Sequence, residues 1–212
     1  MGDDDEARQT QGPFRPIVAF DFDGTLTSRD SFVAFLQWRA GMGRYVASLP
    51  GLSPSLAAFT FHRDRGRLKA RFARAFLGGL SQDEISALAR RFAETHARKL
   101  LRPDAVRSWK RWQGEGARMV IVTASPDLIV APFARGLGAD TLLGTRLQFD
   151  AGGRFTGRLE GANCRGEEKV RRLREVFGED VRLEAAYGDT GGDHAMLGLA
   201  DEQGMRVFKG SA

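Results

Sequence analysis

Short apolar runs that alternate with helical patterns are the feature that most constrains the fold of this chain. The runs "PIVAFD" (16–21), "ARMVIVTAS" (117–125) and "RLEAAYGD" (182–189) are each followed by polar or turn-forming residues, as buried strands are. Helical patterns lie between the strands, near 127–137 and over 166–178. Strands that alternate with helices predict an α/β fold, in which helices cover both faces of a parallel sheet.

The second half of the chain predicts further short elements. A strand is expected near 141–145, and "RLQFDAGGRFTGRLEG" (146–161) alternates around a Gly-Gly turn, as hairpins do. The segment "GDHAMLGLAD" (192–201) predicts a short helix, and "MRVFK" (205–209) a last strand.

A long helical block separates the first two predicted strands. Within it, Ser81 and Glu84 have the spacing of a capping box, and apolar residues then recur at helix spacing up to Phe92. About 70 residues without a strand signal are too many for a crossover, so the block is interpreted as an inserted cap. The predicted division is a flexible tail at 1–14, a catalytic core made of 15–30 and 102–212, and a helical cap at 31–101.

The segments and composition of the chain indicate its cellular location. The acidic start "MGDDDEARQTQGP" lacks the basic and apolar regions of a signal peptide, and no apolar run reaches the roughly 20 residues of a membrane span. We therefore expect a cytoplasmic protein with no transmembrane segment. The single cysteine, Cys164, excludes an internal disulfide and a cysteine metal cluster.

The net charge of +5 suggests an anionic partner. The basic residues are mixed with acids and apolar positions and lack interleaved aromatics, so we expect no specific nucleic acid. A small phosphorylated substrate and peripheral contact with a membrane both remain compatible with this charge.

Two aspartates one residue apart, Asp21 and Asp23, follow the first predicted strand. Residues two apart on an extended chain share a face, so the two carboxylates repel each other unless a cation or a shared proton intervenes. Different environments can then separate their pKa values and give them different roles. Gly24 allows a sharp exit from the strand, and Thr25 offers a hydroxyl and an amide. A polar turn is the alternative reading of "DFDGT".

Three later positions fit the same chemistry. Asp189 and Asp193 follow another strand and offer the oxygen ligands that Mg²⁺ prefers, although aspartates also form turns. Thr123 precedes a helix whose first amides can hold a phosphate oxygen, or it is a plain helix cap. Lys169 lies at a helix start, where a solvated lysine is the alternative.

Four stretches follow one another along the chain in this order: "DFDGTLT", "VIVTASP", "NCRGEEKV" and "AYGDTGGDHAML". Together they resemble the haloacid dehalogenase superfamily, specifically its subfamily IB, which includes the phosphoserine phosphatases. The resemblance spans 16–209 and implies that superfamily's Rossmann-like core with an inserted helical cap. The sequences "TASP" and "NCRGEEK" are similar to the corresponding motifs of the CicA-like bacterial hydrolases of this subfamily.

The resemblance implies a role for each matching residue. Asp21 would be the nucleophile that forms an aspartyl-phosphate, and Asp23 the general acid and base. Mg²⁺ would be held by Asp21, the Asp23 carbonyl and Asp189, with Asp193 in support. The phosphate-binding set would be Thr123, Lys169, Gly24, Thr25 and Ala124.

Substrate choice is less constrained. Phosphoserine phosphatases usually carry Ser-Gly-Gly where this chain has "TAS", and Asn where it has Gly192. Asp30 matches an acidic residue that would contact a substrate amine, and His194 is a second candidate for substrate contact. A cap arginine that would complete such a site is not assigned among Lys69, Arg71 and Arg74.

The expected function is Mg²⁺-dependent hydrolysis of a small phosphorylated metabolite. Asp23 argues against dehalogenase chemistry, because protonating a poor alkoxide leaving group requires an acid. An aromatic cap and basic surface suggest one alternative, a lipid phosphate such as phosphatidylglycerophosphate. Another is a non-catalytic regulator of the cell envelope or of division that binds a phospholigand.

The remaining conspicuous residues have structural interpretations. Cys164 is expected to be a small packed side chain, and His62 and His96 are expected to pack within the cap. Most of the cap aromatics are expected in its core, with a few above the substrate: Phe32, Phe35, Trp38, Phe59, Phe61, Phe72 and Phe76.

Overall fold

The computed structural model describes residues 15–47 and 65–210, and of residues 65–69 it describes the backbone alone. The predicted tail at 1–14 and the expectations for Phe59, Phe61 and His62 lie outside these residues.

A six-stranded sheet forms the centre of the protein, in the order β4-β3-β2-β1-β5-β6. Neighbouring strands are parallel except for β3 and β4, which form the predicted antiparallel hairpin. The strands are β1 (Ile17–Phe20), β2 (Arg118–Pro126), β3 (Thr141–Phe149), β4 (Phe155–Glu160), β5 (Leu183–Gly188) and β6 (Ala200–Met205). The mostly parallel sheet of the predicted α/β fold is thereby confirmed.

Helices flank this sheet at the predicted places. The capping box that starts the longest one is present, since Glu84 N donates to Ser81 Oγ and Ser81 N donates to the Glu84 carboxylate. Residues 42–47 are also helical. The described helices are α1 (Ser31–Ala40), α2 (Arg65–Leu77), α3 (Gln82–Leu100), α4 (Pro103–Gly114), α5 (Asp127–Leu137), α6 (Glu167–Phe177) and α7 (His194–Leu197).

The central strand β1 shows why both faces of the sheet must be covered. Val18 and Phe20 belong to the larger apolar core, and Phe20 packs against Trp109 of α4. Ala19 points to the other face, where Leu173 of α6 and Met196 of α7 form a second core. A strand buried on both sides cannot alternate apolar and polar residues, so "IVAF" is apolar throughout.

The last strand was predicted in the wrong place. The prediction was 205–209, whereas β6 is Ala200–Met205 and pairs in parallel with β5 from Leu183↔Ala200 to Gly188↔Met205. As an edge strand β6 carries the exposed residues of "ADEQGM", so the apolar signal of a buried strand is missing. Phe208, which suggested a strand, instead packs its ring against Phe20 and Tyr187.

The helices between β1 and β2 dock on the core at two places. Phe92 of α3 is fully buried, and its ring contacts those of Phe35 in α1 and Phe133 in α5. On the other side, Phe155 N of β4 donates to Leu80 O at 2.9 Å. Division of the chain into a core and a cap at 31–101 remains a prediction.

Replacing Phe92 with Ala should lower the free energy of unfolding by about 3–5 kcal/mol, because it empties the contact between α1, α3 and α5. Urea unfolding followed by circular dichroism measures the change. The exposed neighbour Arg91→Ala is the matched control and should change it by less than about 0.5 kcal/mol. Equal effects of the two substitutions would contradict the packing role of Phe92.

Candidate active site

Three adjacent strands bring the predicted residues to one edge of the sheet. The strands β2, β1 and β5 are neighbours and run in parallel, so their carboxyl ends meet. Asp21 follows β1 and its N–H donates to Tyr187 O of β5 at 2.8 Å, while Thr123 lies in β2 and Asp189 follows β5. Open parallel sheets place their ligands at such an edge.

Lys169 crosses from the first turn of α6 into this edge, where its side chain is 1% exposed. The ammonium Nζ donates to Asp21 Oδ1 at 2.6 Å, Asp193 Oδ1 at 2.7 Å and Val122 O at 2.6 Å. Burial acts to lower the pKa of Lys169, but the two carboxylates outweigh it and hold the pKa above its usual value. The two carboxylates thus favour the charged form of this buried lysine.

Asp193 is fixed by groups on both sides. Its Oδ1 accepts from Lys169, and its Oδ2 accepts from Thr190 N at 2.9 Å and Thr190 Oγ1 at 3.0 Å. Although burial opposes it, the lysine and these hydrogen bonds hold the pKa of Asp193 below its usual value. A carboxylate that already accepts from these donors has little capacity left for a direct ligand role, and its supporting role remains a prediction.

Asp23 lines the site, and both of its carboxylate oxygens accept hydrogen bonds. Oδ1 accepts from Ser31 N at 2.7 Å, and Oδ2 accepts from the hydroxyl of Ser125. The half-buried carboxyl lines the same cavity as Asp21. The chain thus separates its two neighbouring aspartates, with one beside a buried lysine and the other beside neutral donors.

Gly24 allows the chain to turn away from β1 directly under Asp189. Its φ is +83°, and a Cβ at this position would lie 2.1 Å from Asp189 Oδ2. Only glycine combines this backbone conformation with so close an approach.

The carboxylates of Asp21, Asp189 and Asp193 offer oxygens that lie within 4.8 Å of one another. Asp189 Oδ1 is buried and has no hydrogen-bond partner among the described residues. Burial raises the pKa of Asp21 to about 7, and burial followed by repulsion from Asp193 raises the pKa of Asp189. A partnerless buried oxygen beside a second carboxylate fits a divalent cation, which would lower both pKa values.

Some of the other predicted site residues line the cavity and others do not. Thr123, Ala124 and Asp30 line the cavity, and Asp30 Oδ1 also caps α1 by accepting from Val33 N at 2.8 Å. Thr25 is buried, and its hydroxyl donates to Asp21 Oδ2 at 3.4 Å. His194 is exposed and is not among the described residues that line the cavity.

Six polar residues that line the cavity were not predicted as site residues: Ser28, Arg29, Arg102, Asn163, Arg165 and Thr190. Ser125 was not predicted either; it is not among the described residues that line the cavity, but its hydroxyl donates to Asp23. Arg165 lies in the motif "NCRGEEKV", whose spacing does not indicate where its side chain points. Asn163 and Arg102 come from loops whose positions no local pattern indicates.

The cavity has a volume of about 540 Å³ and two unlike sides. The strand ends and the loop after β5 form a polar floor. The opposite wall is apolar and comes from α1 and α2. Its residues are Phe32, Val33, Leu36 and Phe72.

Several structural interpretations can be checked directly. Arg74 is exposed and packs toward Gly157 of β4, so it does not complete the cavity. Cys164 is buried, its thiol donates to Leu143 O at 3.6 Å, and burial raises its pKa to about 11, as a packed side chain requires. His96 stacks on Phe92 within α3, as expected of a packed side chain.

Comparisons with known proteins agree with this architecture. The family described as haloacid dehalogenase-like hydrolase matches residues 18–198. The chain is 62% identical to "Protein CicA" of Caulobacter vibrioides, covering 92% of this chain and 87% of that protein. It is 30% identical to a phosphoserine phosphatase of Halobacterium salinarum, covering 87% of this chain and 82% of that protein.

Solved structures extend the comparison. A protein of unknown function from Bordetella pertussis has a TM-score of 0.72 and 25% identity, covering 87% of this chain and 86% of the other. A phospho-aspartyl intermediate analogue of phosphoserine phosphatase has the same fold, with a TM-score of 0.60 and 21% identity, covering 89% of this chain and 85% of the other.

This chain belongs to the haloacid dehalogenase-like hydrolase family. The predicted superfamily is thereby confirmed. Among the described residues, no helix is both long and apolar enough to span a membrane.

Replacing Gly24 with Ala should lower kcat/KM for an aryl phosphate by about 100-fold, because the new methyl group displaces Asp189. Steady-state hydrolysis measures the effect, and circular dichroism verifies folding. Gly191→Ala is the matched control, since a Cβ there meets nothing within 4 Å, and it should retain activity. Full activity of the Gly24 variant would contradict the steric role of this glycine.

Proposed function

We propose that this phosphatase hydrolyses a small phosphorylated metabolite through an aspartyl-phosphate on Asp21, with Asp23 as general acid and base and Mg²⁺ as cofactor. The observation that carries the proposal is the difference between the surroundings of the two aspartates. Asp21 is buried and accepts a hydrogen bond from the charged Lys169. Asp23 lines the cavity and accepts hydrogen bonds from two uncharged donors, Ser31 N and the Ser125 hydroxyl.

Asp21 is oriented for attack by its two different oxygens. Oδ1 accepts the short hydrogen bond from Lys169, while Oδ2 accepts a single long one, of 3.4 Å, from Thr25. Oδ2 therefore keeps lone pairs for the incoming phosphorus. A bond forms between Oδ2 and phosphorus as the bond from phosphorus to the leaving oxygen breaks.

Asp23 handles the protons of both steps. In the first step its carboxyl gives a proton to the leaving oxygen, so that an alcohol departs. In the second step its carboxylate takes a proton from water, whose oxygen bonds to phosphorus as the bond to Asp21 breaks. Ser31 N and the Ser125 hydroxyl hold the carboxyl in the lining of the cavity throughout.

Asp21, Asp189 and the main-chain carbonyl of Asp23 would hold Mg²⁺, in agreement with the partnerless buried Oδ1 of Asp189. The ion would supply positive charge that offsets repulsion between the carboxylate nucleophile and the phosphate. Thr123 accepts a hydrogen bond from Ser125 N at 3.0 Å, which leaves its hydroxyl proton for a phosphoryl oxygen.

The size and lining of the cavity support a small substrate. A volume of about 540 Å³ lies in the range of small-molecule sites. Relatives named as phosphoserine phosphatase and histidinol-phosphatase support a metabolite of similar size. The apolar wall would contact the carbon skeleton of the leaving group.

Hydrolysis of a phosphate ester panel by wild type and Asp21→Asn, with and without Mg²⁺, tests the proposed reaction. The panel comprises phosphoserine, histidinol phosphate, a sugar phosphate, a nucleotide, phosphatidylglycerophosphate and an aryl phosphate. We expect metal-dependent turnover by the wild type alone, because the substitution removes the nucleophile. Turnover of the lipid phosphate alone would favour the lipid alternative. If no ester in the panel is hydrolysed but inorganic phosphate still binds, the result would favour the alternative of a non-catalytic regulator.

Replacing Asp23 with Asn should lower kcat for an alkyl phosphate by about 100- to 10,000-fold, since the general acid is lost. An aryl phosphate with a strongly acidic phenol should be affected less in the first step, because its leaving group departs without protonation. Rapid-quench measurement of the first turnover separates that step from water attack. An equal loss for both leaving groups in the first turnover would contradict the acid role.

A further inference from the structure

Arg102 approaches the cavity from the face of the sheet opposite to Lys169. Lys169 comes from α6, whose Leu173 belongs to the apolar core on one face. Arg102 directly precedes α4, whose Trp109 packs against Phe20 in the core on the other face. Both charged residues line the same cavity. The arginine therefore lies across the edge of the sheet from the buried lysine.

Arg102 is attached to the segment that leads from Asp23 to α1. Its N–H donates to Leu26 O at 2.8 Å, and its Nε donates to Thr27 O at 3.2 Å. The same segment ends at Ser31, whose N–H donates to Asp23 Oδ1 at 2.7 Å. In the proposed reaction Asp23 gives a proton to the leaving oxygen. Arg102 therefore lies on the side of the cavity where the leaving part of the substrate would be.

Two hydrogen bonds fix the guanidinium of Arg102 and leave most of its donors unused. Nε donates to Thr27 O and Nη1 donates to Gly210 O at 3.0 Å, although a guanidinium carries five N–H bonds. In the described part of the chain, the remaining N–H bonds have no partner, and Arg102 forms no ion pair. Gly210 is itself held, because its N–H donates to Asp104 Oδ2 at 2.7 Å. A fixed guanidinium with unused donors at a cavity is suited to bind an anion.

We propose that Arg102 binds an anionic group on the leaving part of the substrate. A guanidinium can donate two parallel hydrogen bonds to the oxygens of a carboxylate or of a phosphodiester. The apolar residues Phe32, Leu36 and Phe72 would contact the carbon chain between this group and the phosphoryl group. The substrate class is then a phosphate ester that carries a second negative charge. This inference rests on the proposed phosphatase function.

The first test compares phosphoglycerate with glycerol phosphate, which has a hydroxymethyl group in place of the carboxylate. Arg102→Ala should raise KM for phosphoglycerate by about 10- to 100-fold, because charge-assisted hydrogen bonds are lost. It should leave KM for glycerol phosphate and Ki for inorganic phosphate unchanged. Arg102→Lys should lie between Arg102→Ala and wild type, since it keeps the charge but loses the fork. Arg107→Ala removes the same charge from an exposed position of α4 and should change none of these constants.

The second test separates binding of an anion from bracing of the chain. Asp104→Ala releases Gly210 but keeps the guanidinium of Arg102 and its hydrogen bond to Thr27 O. It should keep the wild-type KM for phosphoglycerate. An equal loss of kcat for both esters in Arg102→Ala, or the same rise of KM in Asp104→Ala, would assign Arg102 a bracing role and overturn the inference.

Circular dichroism checks the folding of each variant. If Arg102→Ala does not fold, Arg102→Gln takes its place, because its amide can still donate to a main-chain carbonyl without carrying a charge. The same selective rise of KM is then expected. A rise of Ki for inorganic phosphate as large as that of KM would place the contact on the phosphoryl group and overturn the inference.

Two sources of the anion are distinguished by a second ester. Deacylated phosphatidylglycerophosphate carries a phosphodiester in its leaving part, whereas phosphoglycerate carries a carboxylate. A rise of KM in Arg102→Ala for phosphoglycerate supports a carboxylate ligand, and a rise confined to the deacylated lipid supports a phosphodiester. If the wild type hydrolyses these esters and Arg102→Ala raises KM for neither anionic one, the inference fails and the proposed function stands.

Should the wild type hydrolyse none of these esters, calorimetric titration with the same two anionic esters still decides. Binding of either one that weakens in Arg102→Ala but not in Arg107→Ala supports the anion site. Equal binding by both variants, or no binding of either ester by the wild type, overturns it.

Discussion

The rest of the site depends on the buried ammonium of Lys169. It joins Asp21 after β1, the Val122 carbonyl in β2 and Asp193 at the start of α7, and it comes itself from α6. One cation therefore fixes the relative positions of four elements at the sheet edge. Removing one partner from such a pair leaves an uncompensated buried charge, which typically costs about 3–5 kcal/mol. The same contact that orients Asp21 thus also holds the edge together.

Lys169 offsets only part of the negative charge at this edge of the sheet. Four carboxylates gather at this edge around one ammonium, and two of them, Asp21 and Asp189, have raised pKa values. An anionic phosphate would approach this surface only if further positive charge were present. A divalent cation beside Asp189 would supply such a charge.

The sequence predicted the residues whose place follows from topology. Asp21, Thr123 and Asp189 converge because carboxyl ends of adjacent parallel strands meet, a rule that needs no side-chain detail. Arg165 was missed because its place at the cavity depends on which way a loop side chain points. Ser125 lies in β2 and was missed because no spacing predicts its hydrogen bond to Asp23. The strand β6 was misplaced because, at an edge, exposed residues replace the apolar run that marks a buried strand.

The two sides of the cavity explain why the motifs indicate a reaction more firmly than a substrate. Everything that would act on the phosphoryl group comes from strand ends and the loops beside them, where β1, β2 and β5 fix the spacing. The wall that would contact the leaving group comes from α1 and α2, through Phe32, Leu36 and Phe72 among others. Apolar contacts are not directional, so many side-chain combinations can build such a wall without leaving a motif. Substrate choice would therefore depend on shape and volume at α1 and α2, whereas the chemistry would depend on a few polar atoms at fixed positions.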